Sequence, residues 1–254
     1  MRIAIMQPYF LPYLGHFQLI GAVDRFVVYD NIKFTKKGWI NRNRLLANGE
    51  PSTLTLPIRN DSDDLDIRDR YLARDFDRTK LLNKVHGTYR SAPFFAPTCA
   101  LFEAIITCSE ENLFSFILHS LNLTCAHIGI RTPLVVSSSI PVDHGLRAED
   151  RVLAICQAEK AATYINPHSG AQLYSPSRFT QSRIELRFLK PRSPVYRQFA
   201  DPFVPSLSII DVLMFNPLPL IQDWLATEYE LLSAADVLGS DAGQGFYMPV
   251  ASSQ

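Results

Sequence analysis

A proline-containing turn near the amino terminus holds the first group of residues that could bind a ligand or take part in catalysis. The apolar run Ile3–Met6 leads into Gln7, Tyr9 and Tyr13, and a helix is predicted to begin near Gly15. Glycine lets a ligand or another backbone approach closely, and the first N–H groups of a helix can bind an anion. We therefore interpret this strand-to-helix turn as part of a substrate-binding site.

The start of that helix resembles the second half of the H-x-G-H signature of nucleotidyltransferases, in which histidines stabilise charge on the transferred phosphate. Tyr13 stands where the first histidine would be, and His16 matches the second. No second signature segment follows. His16 is a candidate catalytic base, because an imidazole can take a proton from an attacking amine near neutral pH. The alternative is a structural histidine at a helix start.

A second candidate segment, the basic loop Lys33–Arg44, follows the predicted strand Phe26–Tyr29 and Asp30. Lysine and arginine recognise phosphate or carboxylate, and an indole ring offers a stacking face. A diphosphate-linked nucleotide would use both features, whereas the alternative is a solvated basic loop. Asp30 is a second candidate base. Lys36 of this loop is a candidate catalytic residue. The loop also contributes candidate substrate-binding residues: Lys33, Lys37, Trp39, Asn41, Arg42 and Arg44.

A third candidate segment, Asn166–Tyr174, comes after a short predicted strand, Thr163–Ile165. Proline and glycine within it predict a tight loop. Its polar side chains can form hydrogen bonds with a sugar or an acyl carbonyl, and the alternative is turn chemistry alone. The candidate substrate-binding residues here are Asn166, Ser169, Gly170 and Tyr174.

Composition and motifs exclude several classes of protein. The 254 residues carry 25 Lys and Arg against 25 Asp and Glu, and this balance argues against a nucleic-acid or membrane-surface partner. No signal peptide or membrane-spanning run is recognised, so a cytoplasmic protein without membrane insertion is expected. The 4 cysteines form no C-x-x-C pair, so no metal site is predicted. The cofactor and the oligomeric state stay undetermined.

The predicted elements that position these segments alternate between strands and helices. This order indicates an α/β fold with a largely parallel sheet and flanking helices, which is a Rossmann-like core, with a nucleotidyltransferase-like core as the alternative. Such sheets bind ligands at the carboxyl ends of their strands. We expect one catalytic domain over residues 1–235 and a loose tail over 236–254. A charged excursion over residues 59–84 is a solvated insertion, an exposed helix or a mobile flap over the site.

The ordered motifs resemble the WbqC-like protein family. The resemblance rests on blocks that run in order along most of the chain: Gln7–Phe10, Pro12–Gly15, Tyr29–Asp30, Lys37–Arg44, Tyr89, Ala92–Phe95, Tyr164–Pro167, Gly170, Leu173–Tyr174, Phe179, Tyr196, Gln198, Phe203 and Leu207–Asn216. It implies a bacterial cytosolic protein of surface-polysaccharide, particularly O-antigen and lipopolysaccharide, biosynthesis. There the family is associated with attaching an aminoacyl or acyl group, such as glycine, to an amino sugar.

Three hypotheses follow for the function. The first is an acyl- or aminoacyltransferase that acts on the amine of a nucleotide-linked amino sugar, with an acyl donor as its second substrate. The second is a nucleotidyl-transferring or adenylate-forming enzyme on the same core. The third is a non-catalytic partner in a biosynthetic complex.

Overall fold

A six-stranded, mostly parallel sheet forms the centre of the computed structural model, which describes residues 1–238. Neighbouring strands of this sheet follow the order β5-β2-β1-β6-β7-β8, and only the β7–β8 pair is antiparallel. The two remaining strands, β3 and β4, form a separate hairpin. The strands are β1 (Arg2–Met6), β2 (Arg25–Val28), β3 (Arg42–Ala47), β4 (Glu50–Thr55), β5 (Leu134–Val136), β6 (Thr163–Pro167), β7 (Glu185–Pro191) and β8 (Tyr229–Ser233).

Helices cover both faces of the sheet, as the predicted Rossmann-like α/β core requires. The helices are α1 (Leu14–Gly21), α2 (Arg78–Tyr89), α3 (Phe95–Ile106), α4 (Leu113–Ile128), α5 (Ala148–Ala158), α6 (Pro176–Gln181), α7 (Ile209–Phe215), α8 (Leu218–Thr227) and α9 (Ala234–Leu238). Side chains of β1 alternate between the two faces, since Ala4 joins one buried cluster while Ile3 and Ile5 join the other. Burial on both faces explains why the central strands are continuous apolar runs.

The strand order reverses at β1. From β1 the chain moves outward to β2 and β5 on one side, and it returns to β6 and β7 on the other. At such a reversal, the loops after neighbouring strands leave in opposite directions and open a crevice at the carboxyl edge. The fold therefore places the ends of β1 and β6, where Gln7 and Asn166 lie, beside this crevice.

The sequence prediction missed β3, the first strand of the hairpin. Arg42 and Arg44, taken as loop residues, lie in β3, which pairs with β4 from Arg42 opposite Thr55 to Ala47 opposite Glu50. The two connecting residues, Asn48 and Gly49, both have positive φ values, 53° and 79°. A two-residue Asn-Gly turn with this geometry matches the right-handed twist of the strands it joins.

The charged excursion over residues 59–84 is anchored in the fold. Ile67 and Leu72 are buried in the core. The backbone N–H groups of Ile67 and Arg68 donate to the carbonyls of Ile32 and Asp30, 2.9 and 3.0 Å away. The excursion therefore lies along the segment that follows β2, and its last residues, from Arg78, begin α2.

Beneath α7, a buried carboxylate joins distant parts of the chain. Asp211 accepts hydrogen bonds from the Tyr89 hydroxyl at 2.7 Å, the Tyr196 hydroxyl at 2.6 Å and the Gln198 amide at 2.9 Å. Burial raises the pKa of this carboxyl. Asp211, in the first turn of α7, therefore ties α2 and the segment before α7 to this helix.

Two sequence predictions concern the carboxyl-terminal tail and the absence of a membrane-spanning segment. Of the predicted tail, residues 236–238 lie in α9, and residues 239–254 lie outside the described part of the chain. Over residues 1–238, each helix is too short or too polar to cross a bilayer.

Candidate functional site

The turn after β1 places its aromatic residues around the start of α1. The Tyr9 hydroxyl donates to Gln7 Oε1 over 3.2 Å, and burial raises the pKa of Tyr9 to about 12. Tyr13 precedes the first residue of α1 without a side-chain cap. A Cβ at Gly15 would lie 2.4 Å from the Tyr13 ring and 3.0 Å from Pro191. Glycine is therefore required here because the tyrosine ring and the end of β7 crowd the backbone.

His16 lies beneath this turn rather than in it. Its side chain is 3 % exposed, and its Nε2 atom makes no hydrogen bond to any described residue. Its ring packs 5.4 Å from the Tyr9 ring and 5.5 Å from the Phe26 ring, measured between centroids. Burial lowers the pKa of His16 to about 3. These surroundings favour a packing role, because a covered imidazole with so low a pKa is a poor general base.

Asp30 lies at the carboxyl end of β2 and is 2 % exposed. Its Oδ1 atom accepts hydrogen bonds from the Ser137 hydroxyl at 2.8 Å and the Ser138 N–H at 2.9 Å. Ser137 follows β5, so two neighbouring strand ends hold this carboxylate in one orientation. No described residue donates to Oδ2. Asp30 is the predicted catalytic residue whose surroundings suit a base best.

Arg151 in the first turn of α5 is a site residue that the sequence prediction missed. It is 8 % exposed, and within residues 1–238 no carboxylate forms an ion pair with it. Its Nη1 atom donates to the Asn31 carbonyl over 3.0 Å, and its Nε atom has no hydrogen-bond partner in the described part of the chain. The guanidinium carbon lies 5.5 Å from the centroid of the Tyr29 ring. Asp66 interacts with Arg151 electrostatically without an ion-pair contact. A buried guanidinium with no carboxylate in direct contact is suited to bind an anion.

A signal for Arg151 existed in the sequence. A cation in the first turn of a helix is opposed by the helix dipole, which favours anions there. Arg151 also precedes the apolar residues Val152 and Leu153, which are buried. An arginine in so unfavourable a position on a core-facing surface indicates a specific role.

His144 joins the same cluster from the loop before α5. Its Nδ1 atom lies 3.0 Å from Asn31 Nδ2 and 3.5 Å from Arg151 Nη2. Both neighbours can only donate, so Nδ1 accepts and the proton of the neutral ring is assigned to Nε2. His144 therefore presents a hydrogen-bond donor at the carboxyl edge.

The segment after β6 extends the cluster with two tyrosines. The hydroxyls of Tyr164 and Tyr174 lie 2.9 Å apart, and Tyr164 also donates to Asn166 Oδ1 over 3.2 Å. Burial raises the pKa of Tyr174 to about 12. The pKa of Tyr29 is also raised, mainly by burial, while Arg151 opposes and Tyr174 adds to the effect. Tyr29 therefore lies between the Arg151 cluster and the Asn166–Tyr174 segment.

Gly170 and Ser169 complete that segment in different ways. A Cβ at Gly170 would lie 2.5 Å from Asn166 Nδ2, so the glycine makes room for the asparagine amide. Ser169 is exposed. The structure thus brings Asn166, Gly170 and Tyr174 together and leaves Ser169 facing solvent.

In the basic loop, the lysines face the acidic part of the excursion. Lys33 Nζ lies 2.8 Å from Asp64, and Lys36 Nζ lies 2.5 Å from Asp63. Lys37 is exposed. The positive charge of the basic loop, predicted to bind an anionic ligand or to be solvated, is thus partly balanced within the chain.

The remaining predicted residues of this loop hold its shape. Arg42 donates to the carbonyls of Lys37 and Gly38, over 2.5 and 2.8 Å, and Asn41 Nδ2 donates to the Leu56 carbonyl over 2.7 Å. Arg44 donates to the Ser206 carbonyl over 3.0 Å. The guanidinium carbons of Arg42 and Arg44 each lie 5.4 Å from the centroid of the Trp39 ring. The indole therefore already has cationic partners.

A cavity separates the basic loop from the excursion. Its volume is about 280 Å³, and its walls include the predicted residues Lys36 and Asn41. Across from them lies Arg70, a buried arginine that the sequence analysis did not select.

The fold and the site together define a Rossmann-like α/β protein with hydrogen-bonding and cationic side chains at the carboxyl edge of its sheet. The chain belongs to the WbqC-like protein family, whose model matches residues 7–222. It is also similar to an uncharacterized protein of Mycobacterium tuberculosis, with 26 % identity over 227 residues, which cover 85 % of this chain and 93 % of that protein. These comparisons confirm the resemblance found in the sequence.

Proposed function

We propose that the protein is a cytoplasmic transferase of bacterial surface-polysaccharide biosynthesis. It attaches an aminoacyl or acyl group, such as glycine, to the amine of a nucleotide-linked amino sugar. The observation that supports this most is the meeting of three segments at the carboxyl edge. Hydrogen bonds and a cation–π contact join Tyr29–Asn31 to the Ser137–Arg151 region. Tyr174 of the third segment, Asn166–Tyr174, packs against the same buried cluster as Tyr29. Family membership supports the same setting.

The residues at this edge match the parts that amine acylation needs. The amine attacks the acyl carbonyl, a C–N bond forms, and the bond from the acyl carbon to its leaving group breaks. A base must take one proton from the amine, and Asp30 is our candidate through Oδ2, with Oδ1 held by Ser137. Arg151 and His144 supply donors for negative charge on the acyl oxygen or the leaving group.

Sugar recognition is assigned to the neutral hydrogen-bonding groups. The amides of Gln7 and Asn166 and the Tyr174 hydroxyl can bond to sugar hydroxyls, and the basic loop binds the phosphates. The burial of His16 favours this hypothesis over nucleotidyl transfer, because that reaction would need the imidazole in contact with a phosphate.

The test is product formation by the purified protein. Wild type is incubated with nucleotide-linked amino sugars and a panel of activated acyl and aminoacyl donors, and N-acylated sugar is measured by mass spectrometry. Asp30→Asn and Arg151→Met should each lower the rate at least tenfold, since each removes one proposed catalytic interaction. Asp24→Asn is the matched control, because Asp24 pairs with Arg2 at the opposite edge of the sheet.

Two results would contradict the proposal. One is a product whose rate is the same for Asp30→Asn, Arg151→Met and wild type. The other is an unchanged surface glycan in cells that carry only a protein with Asp30→Ala, Lys36→Ala and Arg151→Met combined. The second result would indicate the non-catalytic partner.

A further inference from the structure

Arg70 is the most deeply buried charged group of the cavity between the basic loop and the excursion. It is 1 % exposed, and its Nε and Nη2 atoms have no hydrogen-bond partner among residues 1–238. Its Nη1 atom lies 3.4 Å from the Asp61 carbonyl, which is long for a hydrogen bond. Its guanidinium carbon lies 5.1 Å from the centroid of the Phe34 ring. The guanidinium therefore stacks on an aromatic ring while most of its N–H groups are unused.

The other cations of the cavity already have carboxylate partners. Lys36 lies 2.5 Å from Asp63, and Arg59 lies 2.8 Å from Glu111. Arg70 forms no ion pair with any residue in the described part of the chain. The Asp61 side chain also borders the cavity, but that residue is exposed. Asp63, the partner of Lys36, also interacts electrostatically with Arg70. Arg70 is thus the cation of this cavity that has no carboxylate of its own.

A buried guanidinium without a carboxylate of its own is costly, which makes its presence informative. Removal of such an ion from water is strongly unfavourable unless hydrogen bonds and an opposite charge replace the water. Phe34 offsets only part of this cost. A bound anion would supply the missing hydrogen bonds and the missing charge.

The shape of the donors points to a phosphoryl group. A guanidinium presents its N–H groups as a planar fork that fits two oxygens of a phosphate or carboxylate. Lys36 and Arg59 border the same space and add positive charge around it. The excursion also connects this cavity with the carboxyl edge, because the backbone N–H of Arg68 donates to the backbone carbonyl of Asp30, two residues before Arg70.

We propose that this cavity is a phosphate subsite in which Arg70 binds the diphosphate of the substrate. This inference rests on the proposed function, since it places the phosphoryl end of the nucleotide-linked sugar. It also shifts phosphate recognition from the exposed lysines of the loop to a buried arginine of the excursion. Free pyrophosphate offers the same chemistry, so the test must separate the two sources.

The experiment measures binding by isothermal titration calorimetry with three probes: uridine diphosphate, inorganic pyrophosphate and uridine. Arg70→Met keeps much of the side-chain volume and removes the charge. We expect this variant to bind uridine diphosphate at least tenfold more weakly than wild type. If Arg70→Met also loses affinity for pyrophosphate to a similar extent, the site recognises the phosphoryl groups by themselves. If wild type binds uridine diphosphate but not pyrophosphate, the site recognises the whole nucleotide.

Stability distinguishes a binding role from a structural role. If Arg70 serves a ligand, Arg70→Met removes a buried charge that has no carboxylate of its own, so its midpoint of urea unfolding should equal or exceed that of wild type. Pyrophosphate should raise the melting temperature of wild type and not of the variant. Arg192→Met is the control, because Arg192 is exposed and pairs with Glu230.

The inference is overturned if Arg70→Met binds both phosphorylated probes within twofold of wild type, or if wild type binds neither. It is also overturned if the variant unfolds at lower urea and pyrophosphate protects it as well as wild type. Product formation in the acyl-transfer assay is measured separately. If the protein transfers an acyl group and Arg70→Met binds the phosphorylated probes as well as wild type, only the phosphate subsite is refuted. If Arg70 is needed to bind those probes and no acyl transfer occurs, only the proposed reaction is refuted.

Discussion

Replacement of His16 by phenylalanine tests whether this histidine is a packing residue. In the folded protein, burial lowers the pKa of His16 to about 3, whereas an unfolded chain has a histidine pKa of about 6.5. The folded state therefore binds this proton more weakly than the unfolded state does. The stability that the neutral imidazole contributes is complete above pH 6.5 and is lost as the pH falls towards 3.

The size of the effect follows from these two pKa values. Between pH 7 and pH 5, titration of His16 in the unfolded chain lowers the free energy of unfolding by about 2 kcal/mol, at about 1.4 kcal/mol per pKa unit. His16→Phe removes this term and keeps an aromatic ring against Tyr9 and Phe26. The larger ring costs about 1–3 kcal/mol at both pH values alike.

The assay is urea unfolding of wild type and variant at pH 7 and pH 5. The acid-induced loss of stability should be about 2 kcal/mol smaller in His16→Phe than in wild type. Phe17→Leu is the control, because it perturbs the neighbouring buried residue without removing a titrating group, so its cost should be the same at both pH values. An equal acid-induced loss in wild type and His16→Phe would refute the burial argument. Abolished transfer by a folded His16→Phe would restore the catalytic role.

Three further predictions follow from single contacts. Tyr89→Phe should lower the free energy of unfolding by about 2–4 kcal/mol in urea titrations, because the hydroxyl donates to Asp211 and accepts a backbone N–H of β3; an unchanged midpoint would contradict this. Gly170→Ala should displace the Asn166 amide and raise KM for the amino sugar about tenfold, and an unaltered KM would remove Asn166 from the site. Gly87→Ala should raise the free energy of unfolding by about 0.5–1 kcal/mol in thermal melts, because its Cβ meets no atom within 4 Å in α2, and destabilisation would contradict that geometry.

The central part of the fold was predictable because burial on both faces leaves a strong pattern. The apolar runs at Ile3–Met6 and Phe26–Tyr29 correspond to β1 and β2, with bounds shifted by a residue or two. The edge strand β8 was missed, because Tyr229–Ser233 is only partly buried and has no continuous apolar run. Strand β3 was missed because the arginines at its start looked like a ligand-binding loop.

By itself, the sequence determined the α/β class, the family and the segments that reach the carboxyl edge. These properties depend on local periodicity and on the order of short motifs, which a chain displays without being folded. The tertiary structure decided the chemistry of individual residues. It covered His16, held Asp30 between two strand ends, and paired the loop lysines with the excursion. Within residues 1–238 it also left Arg70 and Arg151 buried with no carboxylate in ion-pair contact, because burial and charge pairing depend on contacts between residues far apart in the chain.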